Sequence, residues 1–135
     1  MKYTTEKSEE RALVLPNRSN ASLLAGNWKE ALSDAEEALQ IQPKDYVILI
    51  NKCIALKKLD RGEEVETILQ DILPEIENKY LCACAFAVLG DKEMMLKELE
   101  AAIEEDSRMR VRAKFDPEFT DYREDPDFRK LVYGE

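Results

Sequence analysis

The stretch Asn17–Pro43, NRSNASLLAGNWKEALSDAEEALQIQP, constrains the fold more than any other part of the chain. Its apolar residues Leu23, Leu24, Trp28, Ala31, Leu32, Ala35, Ala38, Leu39 and Ile41 fall at helical spacing. Gly26-Asn27 interrupts them. Glycine adopts the left-handed conformation that ends a helix, so the pair predicts a tight turn between two amphipathic helices. Asn27 is expected to cap the second helix, with Glu30 three residues on completing a capping box. Pro43 is expected to stop it. One such hairpin cannot bury its apolar face alone, so neighbouring hairpins must follow.

Composition admits this. The chain has 135 residues, 44% of them apolar and 36% charged, with only four Gly and five Pro. That balance favours packed helices in one domain over a β-sandwich or a disordered chain. The net charge of −9 argues against nucleic acid and against an anionic membrane surface. No apolar run approaches the ~20 residues that span a bilayer, and polar Met1–Leu13 does not read as a secretory signal. Three cysteines, Cys53, Cys82 and Cys84, do not make a disulfide framework, so a reducing, cytoplasmic location is expected.

Further pairs follow in order. Met1–Arg11 is a charged segment, and Pro16 sets a boundary or kink near Leu13–Pro16. Asp45 is a candidate cap for a helix apolar on more than one side, through Val47, Ile48, Leu49, Ile50, Cys53, Ile54, Leu56 and Leu59. Asp60-Arg61-Gly62 reads as its turn, and Val65, Ile68, Leu69, Ile72 and Leu73 mark the next helix. Shifting Ala31, Ala35, Ala38 and Leu39 by 34 residues lands on Val65, Leu69, Ile72 and Leu73. Pro74 is expected at the start of a third first helix, with Ile76, Tyr80, Leu81, Ala83, Phe86, Ala87 and Leu89. Gly90-Asp91 repeats the turn, and Met95, Leu99, Ala102 and Ile103 line the closing helix. This last step is 30 residues, so the junction at Pro74 is tight. Ser19, Cys53 and Ala83 occupy equivalent places where paired helices must approach closely.

The Gly, Trp28, Ala31, Ala38 and Pro43 pattern, with its 34-residue period, resembles the tetratricopeptide repeat. The resemblance covers roughly Ala12–Ser107. It implies an all-α, right-handed α-solenoid of about three helix hairpins followed by a C-terminal capping helix and tail. The expected plan is a segment 1–11, repeats 12–45, 46–75 and 76–106, and a cap and tail at 107–135. After basic, amphipathic SRMRVRAKF come two Asp-Pro-acid-Phe units, Asp116–Phe119 and Asp125–Phe128. Each Asp is expected to cap a turn opened by Pro, with Phe119 and Phe128 anchoring the tail. The tail resembles segments that close such arrays. No comparable cap is evident at the N-terminus, which leaves the first repeat open to self-association.

Chemistry is sparse. With no histidine the commonest general base is missing, and no phosphate loop or nucleophile elbow occurs. Cys82 and Cys84 point about 200° apart on a helix, so they read as small buried residues rather than ligands for one metal. The paired carboxylates read as solvated outer faces. No catalytic residue, metal or cofactor is expected. The resemblance then implies a protein-interaction module whose first helices line a concave groove for a peptide or helix. Groove-facing places fall at Leu13, Asn17, Asn20, Leu24, Val47, Ile50, Asn51, Ile54, Tyr80, Leu81 and Cys84. A mostly apolar groove suits an apolar helix or strand, with Asn20 and Asn51 binding backbone groups. Asn17 also matches one asparagine of the carboxylate clamp in chaperone-binding modules, but Val47 and Asn51 stand where that clamp needs a Lys and an Arg. Homodimerisation through the same surface is the alternative.

Overall fold

The computed structural model describes residues 18–135; Leu13, Pro16, Asn17 and the segment 1–11 lie outside the described residues. Helices and turns account for the ordered elements, with no strand among the described residues. The chain divides into two compact units, Met1–Ile68 and Leu69–Glu135.

In the first unit, helix α1 is helical through 18–25, and α2 runs over Trp28–Ile41, the bounds the apolar spacing predicts. Gly26, at φ +80°, takes the left-handed turn between them. Asn27 begins α2, but its side chain caps nothing; only its carbonyl joins the helix, accepting the Ala31 N–H at 3.0 Å. The expected capping box with Glu30 is therefore corrected. The backbone does not account for this, because Asp91, at nearly the same φ and ψ, does cap its helix; the Asn27 amide is simply not turned onto α2. α2 ends at Ile41, before Pro43, and α3 spans Tyr46–Lys58. Asp45 caps α3 as expected, its Oδ1 accepting the Ile48 N–H at 3.2 Å.

α2 packs on α3, with Ala35, Ala38 and Ile48 buried and Leu39 against them. Small side chains at 35 and 38 bring the two helix axes close, and larger residues would hold them apart. Ser19 of α1 is buried and donates its hydroxyl to the Ala31 carbonyl of α2 at 2.9 Å. Cys53 and Ala83, the other two of the expected small-residue series, are fully buried as well. α3 buries Ile48, Ile50, Asn51, Cys53, Ile54, Ala55 and Leu56, which occupy most of its circumference, so it is covered on more than one side.

The second turn holds Asp60 and Arg61 as expected, but not Gly62. Gly62 is the first residue of helix α4, Gly62–Ile72. The left-handed position is Asp60, at φ +67°. Asp60 stands 34 residues after Gly26, and Gly90, at φ +91°, stands 30 after Asp60. The backbone turn thus keeps the repeat spacing although the glycine does not. Aspartate is among the few L-residues that visit this conformation, because its short carboxylate bonds locally. α4 buries Val65, Leu69 and Ile72 and crosses the boundary between the two units.

The second unit continues α4 into a 3₁₀ turn, Leu73–Glu75, that contains Pro74. Pro74 therefore ends one helix instead of starting the next. α5, Lys79–Leu89, begins at Asn78, whose side chain accepts the Leu81 N–H at 3.0 Å. Gly90 and Asp91 behave as expected: Asp91 caps α6, Lys92–Glu105, accepting the Met94 N–H at 3.1 Å. α5 and α6 form the tight pair of this unit, with Met95, Leu99, Ala102 and Ile103 buried.

The tail closes on that pair. α7, Met109–Phe115, leads into a 3₁₀ segment, Pro117–Tyr122, and then α8, Pro126–Tyr133. Phe119 and Phe128 are both fully buried with ring centroids 5.6 Å apart, and Phe119 lies 5.9 Å from Tyr80 of α5. The two phenylalanines thus anchor the tail. Asp125 caps α8, accepting from the Asp127 and Phe128 N–H groups, and Lys92 reaches Asp125 and Asp127 at 2.7 and 2.9 Å. Asp116 does not cap. Its carboxylate accepts the Tyr80 hydroxyl at 2.6 Å instead, which ties the first Asp-Pro unit to α5. Arg123 holds the same bend, donating to the Lys114 and Asp116 carbonyls.

Candidate partner-binding surface

α1 and α3 are the first helices of the hairpins in the first unit. On α1, Asn20 and Leu24 lie one turn apart on one side. Asn20 is half-buried, while Leu24 is 59% exposed beside buried Leu23. On α3, Val47, Ile50, Asn51 and Ile54 share a face at i, i+3, i+4 and i+7. Val47 is 45% exposed at the N-terminal end of that face. Ile50, Asn51 and Ile54 are buried. Among the described residues of this unit, the open part of the predicted surface thus reduces to two aliphatic side chains and one amide.

In the second unit, Tyr80 and Cys84 are buried on one side of α5, and Leu81 is half-buried. Tyr80 is fixed from two directions. Its hydroxyl is held by Asp116, and the Arg112 guanidinium lies 4.5 Å over its ring. Burial and the Asp116 carboxylate raise the phenol above its ordinary range, so it remains a hydrogen-bond donor. Glu118 sits beside this group. Desolvation, then the Asp116 charge, push its carboxyl up to about 7. These contacts place Tyr80 and Cys84 in the joint between the last hairpin and the tail.

Burial disfavours the thiolate form at all three cysteines. Burial pushes Cys53 up to about 12 and Cys84 well above its ordinary value. The half-buried Cys82 thiol donates to the Ile76 carbonyl at 3.3 Å. Cys84 fits the expected small buried residue; Cys82 is only partly covered. Among the described residues no three Cys, Asp or Glu side chains gather as a metal-holding group, and no helix is long and apolar enough to cross a membrane.

An open cleft of about 780 Å³ lies elsewhere in the first unit, between Lys29, Glu36 and Gln40 of α2 and Leu59 and Arg61 of the turn. None of the predicted surface residues lines it. Among the described residues, the most exposed large apolar side chains outside the predicted surface are Val111 and Phe115 of α7, at 56% and 68%. The signal was present in the sequence as an i, i+4 apolar pair within a basic stretch. Reading that stretch as a cap hid it, because a cap is expected to turn its apolar side inward.

A family model for the tetratricopeptide repeat matches residues 22–81. No curated protein and no solved structure matches the chain. The matched stretch takes in α2, α3 and α4 entire, and with them the left-handed turns at Gly26 and Asp60. Repeats of this family generally mediate protein–protein interaction, and the family is typically non-catalytic. The helical hairpins and the spacing of their left-handed turns agree with that match over residues 22–81.

Proposed function

We propose that this chain is a non-catalytic adaptor or scaffold that binds a peptide or helix of a partner protein along the first helices of its hairpins. One observation carries the reading. Leu24 and Val47 stay exposed on α1 and α3, while Leu23, Ile48, Ile50 and Leu56 of the same helices are buried. An apolar segment laid on them gains about 25 cal/mol per Å² buried, before the cost of association. Asn20 offers an amide beside them for the partner's backbone. The repeat plan 12–45, 46–75 and 76–106 belongs to this reading, supported by left-handed residues at 26, 60 and 90. A cytoplasmic setting fits free Cys53, Cys82 and Cys84.

The test is quantitative co-purification with wild type, Leu24→Glu and Val47→Glu, with light scattering for mass. Both sites are exposed, so each variant should keep its stability within about 0.5 kcal/mol. A partner lost in both variants, from a monomeric bait, supports the adaptor. A dimeric mass that the variants reduce to monomer replaces it with self-association. A partner retained in both variants overturns this surface.

A further inference from the structure

Helix α7 turns an apolar stripe outward. Ala113 is fully buried and marks its inner side. Val111 and Phe115 lie about 160° from Ala113 and about 40° from each other. Both are exposed. Arg108 and Arg112 flank the stripe on one side, about 60° and 100° from Val111, and Lys114 and Arg110 flank it on the other by the same angles. No acidic residue interrupts 107–115, in a chain whose net charge is −9.

The cations are held at the rim. Arg108 is fixed by Asp106 at 2.7 Å with 85% of its side chain exposed, and Arg112 lies 3.7 Å from Asp116 with 54% exposed. Lys114 rests over the Tyr133 ring at 5.0 Å, and Arg110 meets the Leu131 carbonyl at 3.4 Å. Arg108 and Arg112 are thus paired with carboxylates already, and Arg110 and Lys114 carry the positive charge open to an acidic ligand.

From this geometry we infer that the outer face of α7 docks an acidic amphipathic helix of a partner protein, its apolar i, i+4 pair on Val111 and Phe115 and its carboxylates between the flanking cations. The stripe is one turn long, which matches a single i, i+4 contact between helices. An anionic membrane is the weaker occupant, because a single turn with two apolar side chains buries too little area to hold at an interface. The inference rests on α7 alone and does not require the α1 and α3 surface to bind.

The test is a selection of random displayed peptides on the full chain. Selected peptides are then titrated against wild type, Phe115→Ser, Val111→Ser and the double variant Arg110→Glu/Lys114→Glu. Circular dichroism confirms that each variant is folded. Expected are peptides rich in Asp and Glu, with apolar residues at i and i+4, that bind each variant about tenfold more weakly or worse. Peptides whose binding ignores all three variants, or a preference for basic peptides, overturn the inference. So does stronger binding to phosphatidylserine vesicles than to any selected peptide, or a dimeric mass that Phe115→Ser abolishes.

Discussion

Gly90→Ala and Asp60→Gly change the same turn position in opposite directions. Both residues hold a left-handed backbone, at φ +91° and +67°. That conformation costs an L-residue about 1–2 kcal/mol. Glycine escapes the cost but loses about 0.5–1 kcal/mol more backbone entropy on folding. A Cβ built on Gly90 meets nothing within 4 Å, so Ala adds no steric clash there. The difference leaves Gly90→Ala destabilising by about 0.5–1 kcal/mol. Asp60→Gly should stabilise by up to about the same amount, less whatever local bonding the carboxylate supplies. Thermal melts followed by circular dichroism resolve this, because 1 kcal/mol moves the midpoint of a domain of this size by several degrees, roughly 3–6 °C. If the units melt separately, Asp60→Gly shifts the first and Gly90→Ala the second. A loss of more than about 1 kcal/mol in Asp60→Gly would refute the reasoning: Asp60 would then hold the turn through its side chain, and the spacing of left-handed residues would not explain the register.

Phe119→Ala should cost roughly 3–5 kcal/mol, since it empties a fully buried site between Tyr80 and Phe128; urea unfolding measures it. The Glu118 carboxyl has a raised folded value of about 7 against an ordinary 4.5, so its contribution is full below about 4.5. That contribution falls as pH rises through 7, because the unfolded chain releases the proton first. Melting temperatures from pH 4 to 8 should show that decline in wild type and lose it in Glu118→Gln. Asp45→Ala and Asp91→Ala should each cost about 1 kcal/mol, whereas Asn27→Ala should cost clearly less, because the Asn27 side chain caps nothing; the three melts compared side by side check this.

Helix identity and pairing were legible because they depend on spacing alone. Trp28–Ile41 follows from apolar periodicity, and Gly26, Asp45, Gly90 and Asp91 follow from local backbone chemistry. Side-chain choices between competing partners were not. Asn27 and Asp116 are both good capping residues in sequence, yet neither side chain caps its helix, and Asp116 bonds the hydroxyl of Tyr80, 36 residues away. The second turn was read at Asp60-Arg61-Gly62; its left-handed residue is Asp60, and Gly62 opens α4. The surface residues were hardest to read. Spacing puts Val47, Ile50, Asn51 and Ile54 on one face, but exposure depends on what lies over that face, and only Val47 remains open.

The most direct test of the α1 and α3 surface is photo-crosslinking in the native cell with a benzophenone side chain at Leu24 or Val47, and at the exposed Glu63 of α4 as control. The proposed role predicts one protein trapped from both Leu24 and Val47 and not from Glu63, with the adduct peptide mapping to a single apolar segment of that partner. Equal adducts from all three positions, or none from Leu24 and Val47, would contradict it.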